Sequence, residues 1–310
     1  MKRQKSLILG VLLVPLSGWL LLSVLWAPTY IVSTAPYPVD QDPGSRGLSF
    51  EDIHIPSDDI ILEGWWIPAD KPIAELIFVH GAGSNRISQY IGSLDFYRTL
   101  HELDISVLTM DIRNHGNSPV IDGILRMGGE EWRDVMAAAR WLDERHGSDL
   151  PRILFGASMG GSTVIHALYH GLGAKAAILL DPQLDVFDSL IHGGQVTAGF
   201  PAALFSVAAG IAIYRFDLPS GSESPLVKAT GLDLPILLMQ DWDDPVTRSP
   251  YAAQLAEMNG NVTLKRVPHI APDASCLDGK EAWGSHVAAH PCHPDWTRGT
   301  ISQFLQALSY

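Results

Sequence analysis

From residue 50 onward, short apolar runs alternate with longer stretches of helical periodicity. Residues 51–56 and 60–67 alternate apolar and polar positions around Ser57-Asp58-Asp59, which predicts an antiparallel hairpin. Later runs are mostly apolar and of strand length, as expected for parallel strands buried on both faces. They occupy residues 76–80, 106–111, 152–156, 176–181, 235–240 and 262–267. Between them lie helical patterns such as residues 129–145. The pattern predicts an α/β fold with a mostly parallel sheet and helices on both faces.

The amino-terminal segment has a different pattern. Ser6 to Trp26 contain no charged residue, and at about 1.5 Å per residue they can cross a hydrocarbon core of roughly 30 Å. Lysine and arginine precede this segment and do not recur until Arg46, so the positive-inside rule places the body of the protein outside the cytoplasm, in the periplasm or the exterior. We expect an uncleaved, single-pass transmembrane anchor at residues 1–26; a signal peptide cut after Ala35 is the alternative.

Domain boundaries follow from the same pattern. Residues 27–49 are rich in proline and show no periodicity, which predicts a linker. Residues 50–310 predict one globular domain. Within it, residues 181–234 include the apolar run 200–213 and have room for connecting helices and a small lid.

Composition and charge narrow the function. With 46% hydrophobic and 18% charged residues the chain is typical of a globular protein. Its net charge is −13 although the first 26 residues contain only basic charges, and so acidic a body repels nucleic acid and anionic lipid heads. Two cysteines are too few for a zinc site made of thiolates alone, and we expect no metal and no cofactor. Outside the cytoplasm, Cys276 and Cys292 can pair as a disulfide.

The most informative motif is Gly156-Ala157-Ser158-Met159-Gly160, which lies between an apolar strand pattern and a helical one. In that setting a G-x-S-x-G sequence predicts a nucleophile elbow, where a tight turn presents the serine oxygen at the amino end of a helix. The backbone N–H of Met159, the residue after the nucleophile, is then one donor of an oxyanion hole. The non-catalytic alternative is a glycine-rich turn whose serine caps the helix.

Four motifs together resemble the α/β-hydrolase superfamily, and within it the serine hydrolases of the Bem46-like and serine aminopeptidase-like groups. They are His80-Gly81-Ala82-Gly83, Asp111 to Ser118, the serine elbow and Asp243-Asp244-Pro245-Val246. The resemblance covers roughly residues 50–310. It implies an α/β-hydrolase fold, a second oxyanion donor at the N–H of Ala82, and a structural role for His80.

The resemblance also implies a Ser-Asp-His triad. Asp244-Pro245-Val246 matches the pattern around the family's acid, although Asp241 stands where a glycine is expected, and Asp243 is the alternative. Counting back from the last helix favours His286 as the base, whereas counting forward from the last strand favours His269. The chain therefore contains an insertion, and we choose His286 because a base must lie on a loop that reaches Ser158. Four histidines near the end of the chain could instead bind a metal, but no H-E-x-x-H spacing accompanies them.

We therefore expect a serine hydrolase that cleaves an ester, thioester or amide of a small-molecule or lipid-like acyl substrate through an acyl-enzyme. The alternatives are an acyltransferase on the same fold and a non-catalytic binding protein. Cys276 and Cys292 bracket His286 and exclude His269, so we expect their disulfide to brace the loop that carries the base.

Overall fold

The computed structural model describes residues 17–19, 21–147 and 150–308. In this part of the chain eight strands form one sheet in the order β1-β2-β4-β3-β5-β6-β7-β8. In this spatial order, each pair of neighbouring strands from β4 through β3 to β8 is parallel. The hairpin of β1 and β2 lies at one edge of the sheet, where β2 pairs with β4 in an antiparallel arrangement. The strands are β1 (Glu51–Ser57), β2 (Ile60–Ile67), β3 (Ala74–Val79), β4 (Ile105–Met110), β5 (Arg152–Ala157), β6 (Ala176–Leu180), β7 (Ile236–Gln240) and β8 (Val262–Arg266).

Helices precede, connect and follow the parallel strands. They are α1 (Ala27–Tyr30), α2 (Ser93–His101), α3 (Trp132–His146), α4 (Met159–Tyr169), α5 (Val186–Ala198), α6 (Ser206–Phe216), α7 (Pro225–Thr230), α8 (Ser249–Met258), α9 (Ala289–Cys292) and α10 (Pro294–Ala307). The predicted hairpin is confirmed, and each predicted parallel strand is present within two residues of its expected bounds. The predicted helix at residues 129–145 begins later, at Trp132, because the Glu131 carboxylate accepts hydrogen bonds from the backbone of the preceding turn.

The core lies on both faces of the sheet because successive side chains of a strand point in opposite directions. Ile77 and Val79 of β3 join a buried cluster with α3 and α4. Leu76 and Phe78 join the opposite cluster with α2 and α10. The carboxyl ends of β3, β5, β6 and β7 meet at one edge of the sheet, which is where ligands bind in parallel α/β sheets.

Residues 27–49, predicted as a linker, pack against the domain. Val32 is fully buried, and backbone hydrogen bonds run from Thr34 N to Gly123 O and from Leu125 N to Val32 O, both at 2.8 Å. Asn85 Nδ2 also donates to Tyr37 O at 3.1 Å. This segment follows the domain surface because its backbone finds partners there, which its proline-rich composition does not indicate.

The predicted anchor at residues 1–26 lies mostly outside the described residues, which include only 17–19 and 21–26 of it. These are largely helical and contact the lid region, where Arg215 donates to Val24 O at 3.0 Å. Within the described part of the chain no single helix has the length and apolar character of a membrane span. Val186–Ala198 and Ala202–Phe216 meet both requirements only when taken together, with a bend of 116° between them.

Candidate active site

Ser158 occupies a strained turn between β5 and α4. Its φ of 54° and ψ of −123° are unusual for a residue with a side chain, and such strain is typical of functional sites. The flanking glycines are required sterically. A Cβ on Gly156 would lie 2.4 Å from Gly160 O, and a Cβ on Gly160 would lie 2.2 Å from Val79 O. The serine is therefore raised above the carboxyl edge of the sheet, as the elbow motif predicts.

The structure brings Ser158, His286 and Asp244 together. His286 Nε2 lies 2.9 Å from Ser158 Oγ, and its Nδ1 lies 2.7 Å from Asp244 Oδ2. A carboxylate only accepts, so Nδ1 carries the proton and Nε2 accepts from the serine hydroxyl. The side chains of His286 and Asp244 are 4% and 0% exposed. This geometry suits proton transfer from the serine to the histidine.

Asp244 is held by its own loop. Its Oδ1 accepts from the backbone N–H groups of Val246 and Thr247 at 2.7 and 2.9 Å, and its Oδ2 lies 2.9 Å from Thr247 Oγ1. These three contacts fix both oxygens of the carboxylate in place. The carboxylate can thus orient His286 without moving.

The alternative acid and base pair with each other at the surface. His269 Nδ1 lies 3.0 Å from Asp243 Oδ2, and these side chains are 67% and 57% exposed. Of the other two histidines beyond the last strand, His290 is buried with its Nε2 3.0 Å from Thr99 Oγ1. Among the described residues no group of histidine, cysteine, aspartate or glutamate side chains is close enough to hold a metal ion.

Two buried histidines shape the loop after β3. His80 Nε2 accepts from Ile112 N at 3.3 Å, and its Nδ1 lies 2.8 Å from Gly81 O. His115 Nε2 accepts from Gly83 N at 3.2 Å. Burial lowers the pKa of His80 to about 4 and that of His115 to about 3, so both rings are neutral at neutral pH. These contacts suit the structural role expected for His80.

The loop itself lies against the nucleophile. A Cβ on Gly81 would be 3.2 Å from Ser158 Cβ, so this close approach requires glycine. Ala82 and Met159 both line the cavity beside Ser158. The oxyanion-hole role of their N–H groups stays a prediction.

Asp111 ties the surrounding loops together. Its fully buried carboxylate accepts from Arg86 N at 2.8 Å and Arg86 Nη1 at 2.6 Å, and also from Asn117 N at 2.8 Å. Burial raises the pKa of this carboxyl, whereas the neighbouring Arg86 charge lowers it. Asp111 thus joins the loop at Arg86 to the loop at Asn117, and none of these bonds contacts Ser158.

A cavity of about 330 Å³ opens beside Ser158. One wall comes from residues missed by sequence reasoning, the presumed linker at Tyr30, Ile31, Ser33, Thr34, Ala35 and Tyr37. The other walls include Leu125, Met127, Leu190 and Val246. A second cavity of about 300 Å³ adjoins it and is lined by polar side chains, among them Ser84, Asn85, Gln89 and Asp278. No sequence signal marked the linker as a wall, because its buried side chains, such as Val32 and Leu48, follow no helical or strand period.

Cys276 and Cys292 are placed as a disulfide, with sulfurs 1.98 Å and Cα atoms 5.2 Å apart. That Cα distance is within the usual range of about 4.4–6.8 Å. The bond closes the insertion that carries His286. Lys280, buried in the same loop, donates to Tyr90 O, and burial lowers its pKa to about 8.

Comparison with known proteins shows which proteins this chain is similar to. The family model of the serine aminopeptidases, S33, matches residues 70–218. A putative monoglyceride lipase of Schizosaccharomyces pombe is 30% identical over 115 residues, which are 34% of this chain and 28% of that protein. The chain thus matches well under a third of the length of that curated relative.

Solved structures share the fold at low identity. An esterase of Pyrococcus furiosus superposes with a TM-score of 0.70 and 20% identity, over 89% of this chain and 98% of that one. An acylaminoacyl peptidase of Pyrococcus horikoshii gives 0.60 and 15%, over 84% of this chain and 41% of that one. Est1E of Butyrivibrio proteoclasticus, solved with ferulic acid, gives 0.59 and 15%, over 83% and 98% of the two chains.

Proposed function

Because this chain belongs to the α/β-hydrolase superfamily and is similar to its serine hydrolases, we propose that it hydrolyses an ester, thioester or amide through a Ser158-His286-Asp244 triad. The observation that carries the proposal is the continuous chain of contacts from Ser158 Oγ through His286 to Asp244 Oδ2, at 2.9 and 2.7 Å. Ser158 attacks the acyl carbonyl while His286 takes its proton. His286 then protonates the leaving group, and water releases the acyl group by the same route.

Charge develops on the carbonyl oxygen during each attack. The backbone N–H groups of Met159 and Ala82 are the proposed donors to this oxygen, the first at the amino end of α4. A donor in such a position contributes on the order of a hundred-fold in rate. Asp244 keeps the imidazole in the tautomer that accepts from Ser158, and it stabilises the imidazolium that forms.

The cavities support a lipid-like acyl substrate. Ile31, Leu125, Met127, Leu190 and Val246 give the first cavity an apolar lining that suits an acyl chain. The adjoining cavity is polar and suits an alcohol or amine leaving group. The names of the similar proteins, an esterase, a peptidase and a monoglyceride lipase, fall within the same class of acyl hydrolysis.

The first test uses a fluorophosphonate probe, which labels activated serines. Wild-type protein should be labelled and should hydrolyse p-nitrophenyl esters, whereas Ser158→Ala should do neither. Ser162→Ala is the matched control, since Ser162 is buried nearby on α4 and its hydroxyl donates to Met127 O. Labelling or esterase activity that survives Ser158→Ala refutes the assignment.

The second test compares two adjacent acids. Asp244→Asn should lower kcat about 10³–10⁴-fold, because the histidine would be left in the wrong tautomer. Asp243→Asn should change kcat less than two-fold, because the Asp243 side chain pairs with the exposed His269 and not with His286. The reverse result would transfer the acid role to Asp243.

We further propose that the amino-terminal apolar segment holds the enzyme at a membrane with its catalytic domain outside the cytoplasm. The charge asymmetry around residues 6–26 supports this, and the described end of the segment exposes Leu21, Leu22 and Leu25. Protease added to spheroplasts should digest the domain. A protected domain, or a mature chain that begins near Pro36, would contradict this proposal.

A further inference from the structure

Asp181 lies at the carboxyl end of β6, between the loop that carries Asp244 and the loop that carries His286. Its side chain is fully buried, and its φ of 42° turns the chain away from the strand. The proposed reaction assigns it no role. Its two carboxylate oxygens nevertheless contact two different parts of the site.

One oxygen holds each loop. Asp181 Oδ1 accepts from Asp241 N at 2.6 Å, at the start of the acid loop. Asp181 Oδ2 accepts from Val287 N at 3.1 Å, directly after His286. We propose that Asp181 is a positioning residue that joins these two loops and so keeps His286 aligned between Asp244 and Ser158. The inference rests on the proposed function.

The histidine loop needs such a restraint. Val287 is β-branched and has a φ of 51°, a strained conformation that persists only where the surroundings impose it. The hydrogen bond from its N–H to Asp181 fixes this peptide. A loop freed from the bond can relax, and His286 would move with it.

The acid loop is tied to the same residue a second time. Thr247 Oγ1 lies 3.0 Å from Asp181 O and 2.9 Å from Asp244 Oδ2. The hydroxyl therefore has the backbone of Asp181 and the carboxylate of the proposed triad acid within reach at once. Asp181 thus contacts Asp241 and Thr247 on the loop that carries Asp244, and Val287 on the loop that carries His286.

Stability alone does not account for the carboxyl group. Burial and the neighbouring Asp244 charge raise the pKa of Asp181 well above its usual range, so its ionised form is costly to the fold. Removing the charge should therefore cost little stability. A positioning role predicts that the loss appears in the rate instead.

The experiment compares Asp181→Asn with Asp134→Asn in the full-length protein. An asparagine at 181 has one acceptor oxygen and turns an NH₂ group toward the other loop, so one loop is released. Asp134 is an equally buried carboxylate that binds Arg113 and Ser57, away from the proposed triad. For each variant kcat, KM, the rate of phosphonate labelling and Tm are measured.

For Asp181→Asn we expect kcat and the labelling rate to fall ten- to hundred-fold, since a displacement of about 1 Å costs roughly a hundred-fold. KM should stay within two-fold and Tm near wild type. Asp134→Asn should keep kcat and KM while its Tm falls. A kcat within two-fold of wild type in Asp181→Asn, or an equal loss of kcat in Asp134→Asn, overturns the proposal.

The activity of the wild-type protein separates failure of the proposed function from failure of the positioning role. A wild-type protein that is neither labelled nor active refutes the proposed function, whereas an active wild type with an unaffected Asp181→Asn refutes only the positioning role. Should Asp181→Asn not fold, hydrogen exchange of the wild-type protein decides. Slow exchange of the Asp241 and Val287 amides supports the joint between the loops, and fast exchange of either amide overturns it.

Discussion

The disulfide between Cys276 and Cys292 should control activity more strongly than its contribution to stability suggests. Replacing both cysteines by alanine opens a loop of sequence separation 16 that contains His286. In the chain-entropy model a loop of this size contributes about 3 kcal/mol to the free energy of unfolding. For a domain of this length that corresponds to a fall in Tm of about 5–10 °C.

The effect on rate should appear at temperatures where the domain is still folded. Between the two cysteines the chain contains short helical turns, such as Glu281–Trp283, rather than long helices. His286 therefore depends on the closure of this loop for its position. A displacement of about 1 Å from Ser158 predicts a loss of kcat on the order of a hundred-fold.

The assay follows kcat and Tm of the wild-type protein with and without dithiothreitol, beside the double alanine variant. Mass spectrometry of the non-reduced wild type should show the cross-link between residues 276 and 292. The reductant should lower kcat of the wild type well below Tm, and it should leave the double variant unchanged. Free thiols at both positions in protein from its native compartment would refute the reasoning and return His269 to consideration as the base.

Further predictions follow from single contacts. In the folded protein the pKa of His115 is about 3, so the ring stays neutral well below pH 6.5. On unfolding below about pH 6.5 the ring takes up a proton, which favours the unfolded state. The contribution of His115 to stability is therefore present above pH 6.5 and lost on acidification. In His115→Gln the amide oxygen can still accept from Gly83 N. Between pH 6.5 and 4 the change of unfolding free energy with pH should be smaller in this variant by about 1.4 kcal/mol per pH unit. Chemical denaturation measures this, and an unchanged pH dependence contradicts the prediction. Because Ile31 lines the cavity, Ile31→Ala should lower kcat/KM for long-chain p-nitrophenyl esters several-fold more than for p-nitrophenyl acetate. An equal effect on all chain lengths would show that this segment does not contact the acyl chain. Gly160→Ala should abolish phosphonate labelling, because its Cβ would overlap Val79 O, and normal labelling would exclude the elbow geometry.

Much of the fold could be predicted because burial on both faces leaves a clear pattern. The runs that became β3 to β7 are apolar at almost every position, and each strand is buried along nearly its whole length. The serine elbow could be predicted for a related reason. Its glycines are required by contacts under 2.5 Å, so the steric constraint is visible in the sequence as a motif.

The packing of the predicted linker was missed because its buried side chains, such as Val32 and Leu48, follow no period and its backbone contacts leave no pattern in the sequence. Thr34 donates its N–H to Gly123 O, and Val32 accepts from Leu125 N, bonds that almost any residue can make. Asp181 was missed for a different reason. It ends an apolar run, where an acidic residue is ordinarily taken as the first residue of a loop, and its two partners lie 60 and 106 positions away.

The choice between Asp243 and Asp244 shows what decides a site residue when the motif does not. The two acids are adjacent, and each has a histidine partner at 3.0 Å or less, yet one pair is exposed and the other buried. Asp244 is turned inward because its Oδ1 accepts from the N–H groups of Val246 and Thr247, a local turn that Asp243 does not make. His286 reaches this inward carboxylate because the loop after β8 folds back over the edge of the sheet, where Val287 N meets Asp181 Oδ2. The proposed acid is thus distinguished from its neighbour by a local turn of four residues, whereas the position of the proposed base depends on contacts between residues that lie far apart in the sequence.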